Sequence, residues 1–445
     1  MTQEIQSFTE RNAVLIKVMA ISFLTLMLLI PMSMIRSLVM ERQTRQMEAT
    51  TEISSKWGFE QRLVGPILTI PFVTYDLDKD SKRVNIARHR AYFLPESLKI
   101  IGTMNPEVKK RGIFQVALYT TNLKVEGFFK SPQINISDKN FEINWQDAFL
   151  TIGISDLRGI KEDIKFKWNS DEMICEPGVR IENMIESGVT INKTLQSDSS
   201  IKEYQFSFNL SLNGSKRLSF VPIGKETGVT LNSSWTNPSF DGSFLPEDSK
   251  ITSDGFKANW KVLELNRNFP QKWIDSSFKI EDSTFGVSLL LPGETYQLTE
   301  RSMKYAILFI ALTFTVFFFV EIMRKLKVHP IQYVLVGFSL CLFYLLLLSL
   351  SEQIGFGLAY LIASAGIVIM IASYSRGIFK SNRLTIILIS ILILLYGFLY
   401  ILLQLQDFAL LMGSIGLFVI LASVMYLSRK IDWYAIGGTA KNTNE

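Results

Sequence analysis

The apolar segment AVLIKVMAISFLTLMLLIPMSMI, residues 13–35, decides the architecture of this chain. About 268 mostly polar residues follow it, and then come five further apolar segments, at 305–321, 331–350, 356–374, 384–403 and 408–427. Each segment has roughly the 17–25 residues that are needed to cross a hydrocarbon core about 30 Å thick. The pattern predicts a membrane α-helical bundle of six transmembrane helices, with a large soluble domain inserted between helices 1 and 2.

The short loops between these segments predict the orientation. Lys and Arg residues fall on one side of the membrane if the spans alternate: Arg324, Lys325, Lys327, Arg376, Lys380, Arg383, Arg429 and Lys430. The opposite short loops, 351–355 and 404–407, carry no Lys or Arg. Because cationic loops stay in the cytoplasm, both termini are predicted to be cytoplasmic and the inserted domain extracytoplasmic. Arg36 and Arg301 flank that domain on the outer side, but long domains cross largely regardless of charge.

These assignments divide the chain into five regions. We expect a cytoplasmic N-terminus at 1–12, the first transmembrane helix at 13–35, and a periplasmic domain at 36–303. A five-helix transmembrane bundle at 304–428 and a cytoplasmic tail at 429–445 complete the chain. The predicted location is therefore a bacterial inner membrane, crossed several times.

Within the inserted region, the sequence pattern changes from helical to strand-like near Gly58. Residues 36–57 contain no Gly or Pro, which predicts a helical stalk continuing outward from the first span. Many short alternating stretches follow, and Asn213-Gly214 is typical of a hairpin turn. This spacing predicts an all-β, sandwich-like domain. Most of four tryptophans are expected in its core: Trp145, Trp168, Trp235 and Trp260.

Charge and cysteine content exclude several classes of protein. The net charge of +5 is mild and gives no reason to expect a nucleic-acid partner. Cys175 lies in the inserted domain and Cys341 within the third span, so the two cannot form an internal disulfide. The lipid bilayer is the partner that the composition predicts directly.

Residues capable of catalysis or metal binding are few. The two histidines, His89 and His329, are predicted to lie on opposite sides of the membrane, so they cannot share a metal ion or a proton relay. Asp76, Asp78 and Asp80 have the opening spacing of a calcium-binding EF-hand loop, but the glycine and glutamate that such a loop needs are missing. A solvated hairpin turn explains them better. We therefore expect no catalytic residue, no cofactor and no metal site.

The spans contain almost no ionisable residues. Lys17 lies close enough to the cytoplasmic face to extend its amine out of the membrane, and Glu321, Glu352 and Asp407 lie at span ends. Because ion and proton pathways usually need charged groups at membrane depth, this pattern disfavours a coupled transporter.

Small residues in the spans predict close helix packing. Gly355, Ala359 and Ala363 repeat every four residues, as do Ala409 and Gly413, and such spacing lets two helices approach closely. After the last span, an interfacial anchor of the bundle is predicted from four residues, Arg429, Lys430, Trp433 and Tyr434.

Ten short motifs identify a family resemblance. They are LVGPILTIP at 63–71, FLPESL at 93–98, RGIF at 111–114, ISDLRG at 154–159, NPSF at 237–240, FLP at 244–246, YQLT at 296–299, KYAIL at 304–308, HPIQY at 329–333 and IDWY at 431–434. With these motifs, in order along almost the whole chain, the sequence resembles the CreD family of cell-envelope integrity proteins. The resemblance implies an inner-membrane protein of Gram-negative bacteria, linked to a carbon-source-responsive two-component regulon and to tolerance of colicins and β-lactam stress. It implies no reaction and no catalytic residues.

Three classes of function follow from these features. The first is a non-enzymatic envelope-integrity and stress-response protein, whose periplasmic β-domain binds an envelope component that the sequence does not identify. The second is a transporter or channel component, which would need an aqueous cavity lined by polar side chains within the helices. The third is a membrane-bound hydrolase of cell-wall or lipid substrates, which would need carboxylates converging in a cleft of the outer domain.

Overall fold

The computed structural model describes residues 13–429, apart from 81, 135–139, 182–183, 196–201, 277, 292–294, 325, 327 and 406–407. Two compact units make up the chain. A helical unit is drawn from Met1–Gln46 and Gly293–Glu445, and a β unit is formed by Met47–Pro292. The domain boundaries predicted at 36 and 303 stay predictions.

The helices are α1 Ala13–Met27, α2 Leu29–Trp57, α3 Thr295–Met303, α4 Ala306–Arg324, α5 Pro330–Ile354, α6 Phe356–Phe379, α7 Asn382–Gln404 and α8 Ala409–Ser428. Five helical stretches are long and apolar enough to cross a membrane: Leu15–Trp57, Ala306–Arg324, Pro330–Ile354, Phe356–Phe379 and Asn382–Gln404. A sixth apolar stretch, Leu410–Tyr426, is shorter. The predicted combination of membrane helices with an inserted β-domain is confirmed, and α2 continues as a helix to Trp57.

Local sequence signals explain how α5 begins and ends. His329 precedes the helix, and its ring nitrogen Nδ1 accepts a hydrogen bond from the backbone N–H of Ile331 at 3.3 Å. The side chain of Gln332 accepts one in return from the backbone N–H of His329 at 3.0 Å, and Pro330 occupies the first helical position. At the other end, Gly355 has a φ of +79°, a conformation that favours glycine, and the chain turns there into α6. The motif HPIQY is therefore a helix-start signal.

The strands of the β unit are β1 Gln61–Leu77, β2 Arg83–Phe93, β3 Ser97–Arg111, β4 Phe114–Lys130, β5 Phe141–Ile143, β6 Phe149–Ile154, β7 Phe166–Trp168, β8 Asp171–Met173, β9 Glu176–Pro177, β10 Gly188–Asn192, β11 Glu203–Ser215, β12 Arg217–Phe220, β13 Glu226–Ser233, β14 Pro238–Gly242, β15 Asp248–Thr252, β16 Gly255–Leu263, β17 Lys272–Ile274 and β18 Phe285–Leu289. They form two sheets. The first has the order β14-β18-β12-β1-β6-β10-β9, with β2 and β5 also paired to β1 and β17 paired to β2. The second has the order β15-β16-β13-β3-β4-β11-β7-β8.

One hydrophobic core is shared by the two sheets. Ile67 and Leu150 enter it from the first sheet, and Leu98 and Val125 enter it from the second. Along β3 the burial of side chains alternates, as expected for a strand with one face on a core. Most of four tryptophans were predicted to be buried, but only Trp168 and Trp260 are, whereas Trp145 and Trp235 are half-buried.

The hairpin predicted at Asn213-Gly214 is wrong. These residues lie within β11 and pair with β4, so that Gly214 is opposite Tyr119. A Cβ atom on Gly214 would lie 2.4 Å from the Tyr119 hydroxyl, so glycine is required here for close packing and not for a turn. The chain leaves this sheet at Lys216, whose φ is +60°, and enters the other sheet as β12.

Candidate functional site

The small residues predicted to form a packing ribbon take different places in the helical unit. Ala359 and Ala363 lie on α6 and are buried, with 0% and 1% of their surfaces exposed. Gly355 is exposed, and a Cβ atom there would meet no described atom within 4 Å. Ala409 is the first residue of α8, and Gly413 on the same helix is half-buried beside Leu402. The packing role of the set stays a prediction, and it depends mainly on the two α6 alanines.

The predicted interfacial anchor falls only partly within the described residues. The guanidinium of Arg429 lies 5.2 Å from the centre of the Tyr426 ring, within the range of a cation–π interaction. Lys430, Trp433 and Tyr434 lie outside the described residues. Their part in an anchor stays a prediction.

A buried polar cluster joins three helices of the helical unit. Glu321 on α4 is only 3% exposed. Its Oε1 accepts hydrogen bonds from Lys17 Nζ on α1 and from the backbone N–H of Val328, the latter at 2.8 Å. Its Oε2 accepts a hydrogen bond from the Tyr333 hydroxyl on α5 at 2.9 Å. Lys17 was expected to extend towards water, whereas the structure pairs it with a buried carboxylate, which needs such a partner in a low-dielectric interior.

A second polar group in the same unit surrounds Glu352 at the end of α5. Its Oε1 accepts a hydrogen bond from the Tyr296 hydroxyl on α3 at 2.8 Å. The Nε atom of Arg42 on α2 lies 3.9 Å from the same oxygen. Nearby in sequence, Arg36 and Glu300 approach to 3.4 Å. These contacts tie α2, α3 and α5 together, so the structure gives these charged residues a role in packing.

The motif ISDLRG forms a clamp on the end of α2, which we call the Asp156 clamp. It consists of Asp156, Arg158, Gln61 and the backbone of Ser55 and Phe59. The Asp156 carboxylate accepts hydrogen bonds from the Phe59 N–H at 2.9 Å and from Arg158 Nε at 2.9 Å. Arg158 also donates to the Ser55 carbonyl at 3.1 Å, and Gln61 Nε2 donates to the Asp156 carbonyl at 3.0 Å. The clamp fastens the last turn of the helix to the sandwich.

The electrostatics of the clamp favour an ionised Asp156, although the residue is only 8% exposed. Burial would raise the pKa of its carboxyl group, because it removes water from the charged form. Hydrogen bonds from the Arg158 side chain and from the backbone N–H groups of Phe59 and Arg158 outweigh burial, so the pKa is lowered below its ordinary value. The charge is therefore part of what holds the clamp together.

A chain of hydrogen bonds that sequence reasoning missed runs through His89 in the β unit. The Thr74 hydroxyl on β1 lies 2.9 Å from His89 Nε2 on β2, and His89 Nδ1 lies 2.5 Å from Asp275 Oδ2. If Nδ1–H donates to the carboxylate, Nε2 is left to accept from the hydroxyl, which is the order of groups in a hydroxyl–histidine–carboxylate triad. The three residues come from distant segments, and no local motif announces them.

The surroundings of this triad favour a structural role. Thr74 pairs with Ala87 on one side and with Phe141 on the other, so its backbone is engaged in the sheet. Asp275 Oδ1 also accepts a hydrogen bond from the Arg90 N–H at 2.8 Å, extending the pairing of β17 with β2. The contacts of Asp275 therefore hold the edge of the sheet together.

Metal and thiol chemistry have little support in the part of the chain that the structure describes. No group of three or more His, Cys, Asp or Glu residues there could hold a metal ion. Cys175 is half-buried and Cys341 is buried, and both are free thiols. Burial raises the pKa of the Cys175 thiol to about 11, which makes it a poor nucleophile near neutral pH. The aspartates at 76 and 78 belong to the β1–β2 hairpin, as predicted.

Apolar membrane-length helices that precede and follow a β-sandwich in the sequence define a multi-pass membrane protein with a large inserted domain. The family model described as "Inner membrane protein CreD" matches residues 13–434. The chain is also similar to the Inner membrane protein CreD of Escherichia coli (strain K12), with 35% identity over 416 residues, 92% of this chain and 91% of that protein. The chain therefore belongs to the CreD family, and it is an inner-membrane protein that sits in the lipid bilayer.

Proposed function

We propose that this protein holds a binding domain on the outer face of the inner membrane, where the β-sandwich recognises an envelope component and supports envelope integrity. The membership of the CreD family, which is not an enzyme family, supports the membrane-associated and non-enzymatic part of the proposal. The periplasmic location, the cytoplasmic termini and the binding partner are proposals. They follow from the charge of the short loops and from the architecture of the β unit.

The observation that carries the proposal is the firm attachment of α2 to the sandwich. Besides the Asp156 clamp, Trp57 Nε1 donates to the Tyr119 carbonyl at 3.2 Å, and Glu52 pairs with Arg111. The amine of Lys109 lies 4.3 Å from the Trp57 ring centre. These contacts all lie within the β unit, where they hold the last turns of α2 against the sandwich and give a binding surface a stable support.

In-cell crosslinking tests this function. A photo-crosslinking amino acid is placed at Ser243, an exposed position of the β unit, and crosslinked species are identified by mass spectrometry. A matched position, Ser381, lies in a loop that we place in the cytoplasm. We expect envelope components to be captured from position 243 and not from 381. Cytoplasmic proteins captured from 243 would contradict both the orientation and the function.

Direct labelling tests the orientation separately. Cysteines introduced at 243 and 381, in a background without the two native cysteines, are exposed to a membrane-impermeant thiol reagent in intact spheroplasts. We expect labelling at 243 only. Labelling at 381 only would reverse the proposed topology.

A hydrolase is the second candidate, and the Thr74–His89–Asp275 geometry is the observation that favours it. If this triad were catalytic, His89→Ala would abolish envelope-stress tolerance in a complementation assay while expression stayed normal. Under our main proposal the same variant retains function. Thr74→Val, which keeps the shape and removes the hydroxyl, separates loss of a nucleophile from loss of packing.

The helical unit gives less support to the transporter alternative. A groove of about 630 Å³ lies between α6 and α7. Most of its lining residues are aliphatic or glycine. Polar atoms are contributed by Ser364 and by three tyrosines, Tyr360, Tyr396 and Tyr400. An aqueous path needs more polar lining than this groove offers.

A further inference from the structure

A polar hollow lies in the β unit beside the end of β5. Its volume is about 630 Å³, and its polar lining comes from Glu142, Asn144, Trp145, Gln146, Asp147 and Thr194. Four of these six residues are consecutive, so a single short turn presents them together. The hollow shares no lining residue with the Asp156 clamp or with the Thr74–His89–Asp275 triad.

The turn that forms the hollow is fixed to the sandwich on two sides. The Asn144 N–H donates to the Pro71 carbonyl on β1 at 3.0 Å, and the Leu195 N–H donates to the Trp145 carbonyl at 2.9 Å. Within the turn, the Asp147 N–H donates to the Asn144 carbonyl at 3.1 Å. The backbone of the turn is thus held in place without using the side chains, which leaves their polar atoms available to a ligand.

The side chains differ in how far they are already engaged. Glu142 pairs with Arg83 at 2.5 Å. Asp147 receives a long contact of 3.4 Å from Asn144 Nδ2, and both Asp147 and Gln146 are exposed. Trp145 is half-buried, packs against the hydrophobic core and also lines the hollow. The residues that line the hollow therefore combine a half-buried indole, amides and a carboxylate.

This combination fits a sugar better than other small ligands. The electron-rich face of an indole attracts the C–H groups of a pyranose ring, and amide and carboxylate groups match its hydroxyls as donors and acceptors. An apolar ligand would find too few apolar partners here. An anionic ligand would meet two carboxylates, Glu142 and Asp147, and no Lys or Arg among the described residues that line the hollow.

We propose that this hollow is a binding site for a neutral saccharide. The inference depends on the proposed function, a β-domain that binds an envelope component, and it names the chemical class of that component. Neutral N-acetylated and plain hexose chains share the relevant ring and hydroxyl chemistry, so the test includes both.

The test is isothermal titration calorimetry on the full-length protein in lipid nanodiscs, because sugar-based detergents would compete. The probes are N,N′,N″,N‴-tetraacetylchitotetraose and maltotetraose. The variants are Gln146→Ala and Asp147→Ala, which change exposed side chains. The matched control is Gln205→Ala, an exposed glutamine on β11 of the other sheet. Thermal melting confirms that each variant is folded.

We expect saturable binding of at least one tetrasaccharide, weakened at least about fivefold by either variant and unchanged in the control, as for loss of a ligand hydrogen bond. The probe that binds identifies the kind of chain. Absence of saturable binding to both probes, or equal binding by wild type and both variants, overturns the inference. The anchoring function stands in that event if crosslinking from position 243 still captures an envelope component of another class.

Discussion

The Asp156 carboxylate accepts a hydrogen bond from the backbone N–H of Phe59, 97 residues earlier in the chain, at 2.9 Å. Phe59 follows the last turn of α2, whereas Asp156 follows β6. This single bond joins the entry of the chain into the sandwich to the middle of the first sheet. Its strength depends on a charge, so it should depend on pH.

We predict that Asp156→Asn lowers the free energy of unfolding of the β unit by about 1–3 kcal/mol at neutral pH, since it leaves buried donors poorly paired. The folded-state pKa of Asp156 is lowered, so the contribution of this residue is present above the ordinary pKa of about 3.9 and is lost as the pH falls through the folded value. The difference between wild type and variant, measured by tryptophan fluorescence in denaturant, should shrink below about pH 4. A difference that stays constant from neutral pH to pH 3 contradicts this account.

Gly159→Ala should be more damaging than its small size suggests. A Cβ atom at Gly159 would lie 2.3 Å from the Asn213 carbonyl oxygen and 2.4 Å from Gln61 Nε2, both held by the clamp. We expect a loss of about 1–3 kcal/mol of unfolding free energy, as for other overpacked sites. Gly228→Ala is the matched control, because a Cβ atom there meets no described atom within 4 Å. Equal melting temperatures for the two variants would contradict the prediction, because they would show that Asn213 and Gln61 move aside at little cost.

The ion pair between Lys17 and Glu321 should show strong coupling in a double-mutant cycle. Lys17→Met leaves the buried carboxylate of Glu321 without its cation. Breaking a fully buried ion pair costs about 3–5 kcal/mol of unfolding free energy. We expect a smaller loss here, because Lys17 is 33% exposed. Combining Lys17→Met with Glu321→Gln should recover part of this loss. Melting of the protein in detergent measures both effects, and simple additivity of the two single variants would argue against coupling.

The α6 alanines offer a test of the packing ribbon. Ala359→Leu adds three carbon atoms at a fully buried position, which should force the helices apart and cost about 1–3 kcal/mol. Ala365→Leu on the same helix is the control, since Ala365 is exposed. Envelope-stress complementation, with expression checked by immunoblot, should fall only for the first variant. If Ala359→Leu behaves like its control, the ribbon has no packing role.

Features that depend only on residues close together in the sequence could be predicted. The apolar spans, the helical stretch before Trp57 and the alternation along β11 are repeated local patterns, and the structure contains all three. The turn signal at Asn213-Gly214 failed because Tyr119, distant in sequence, needs the space of a missing side chain. A local sequence pattern does not show which distant residue will pack against it in the fold.

The polar contacts were missed for the same reason. Lys17 and Glu321 are separated by 304 positions, and His89 meets Asp275 across 186. Each residue alone looks like an ordinary surface or span-end charge. Only the folded topology shows which charges face one another, and a single sequence does not contain that information.

The parallel pairing of β1 with β12 has a consequence for how the protein is made. Leu63 on β1 pairs with Phe220 on β12, so the central strand of the first sheet lacks one neighbour until much of the inserted domain has been synthesised. Long-range pairing of this kind folds slowly, and an apolar strand waiting with an open edge can associate with other chains. During biogenesis, the start of β1 at Gln61–Leu63 therefore stays without its parallel partner until β12 has been made.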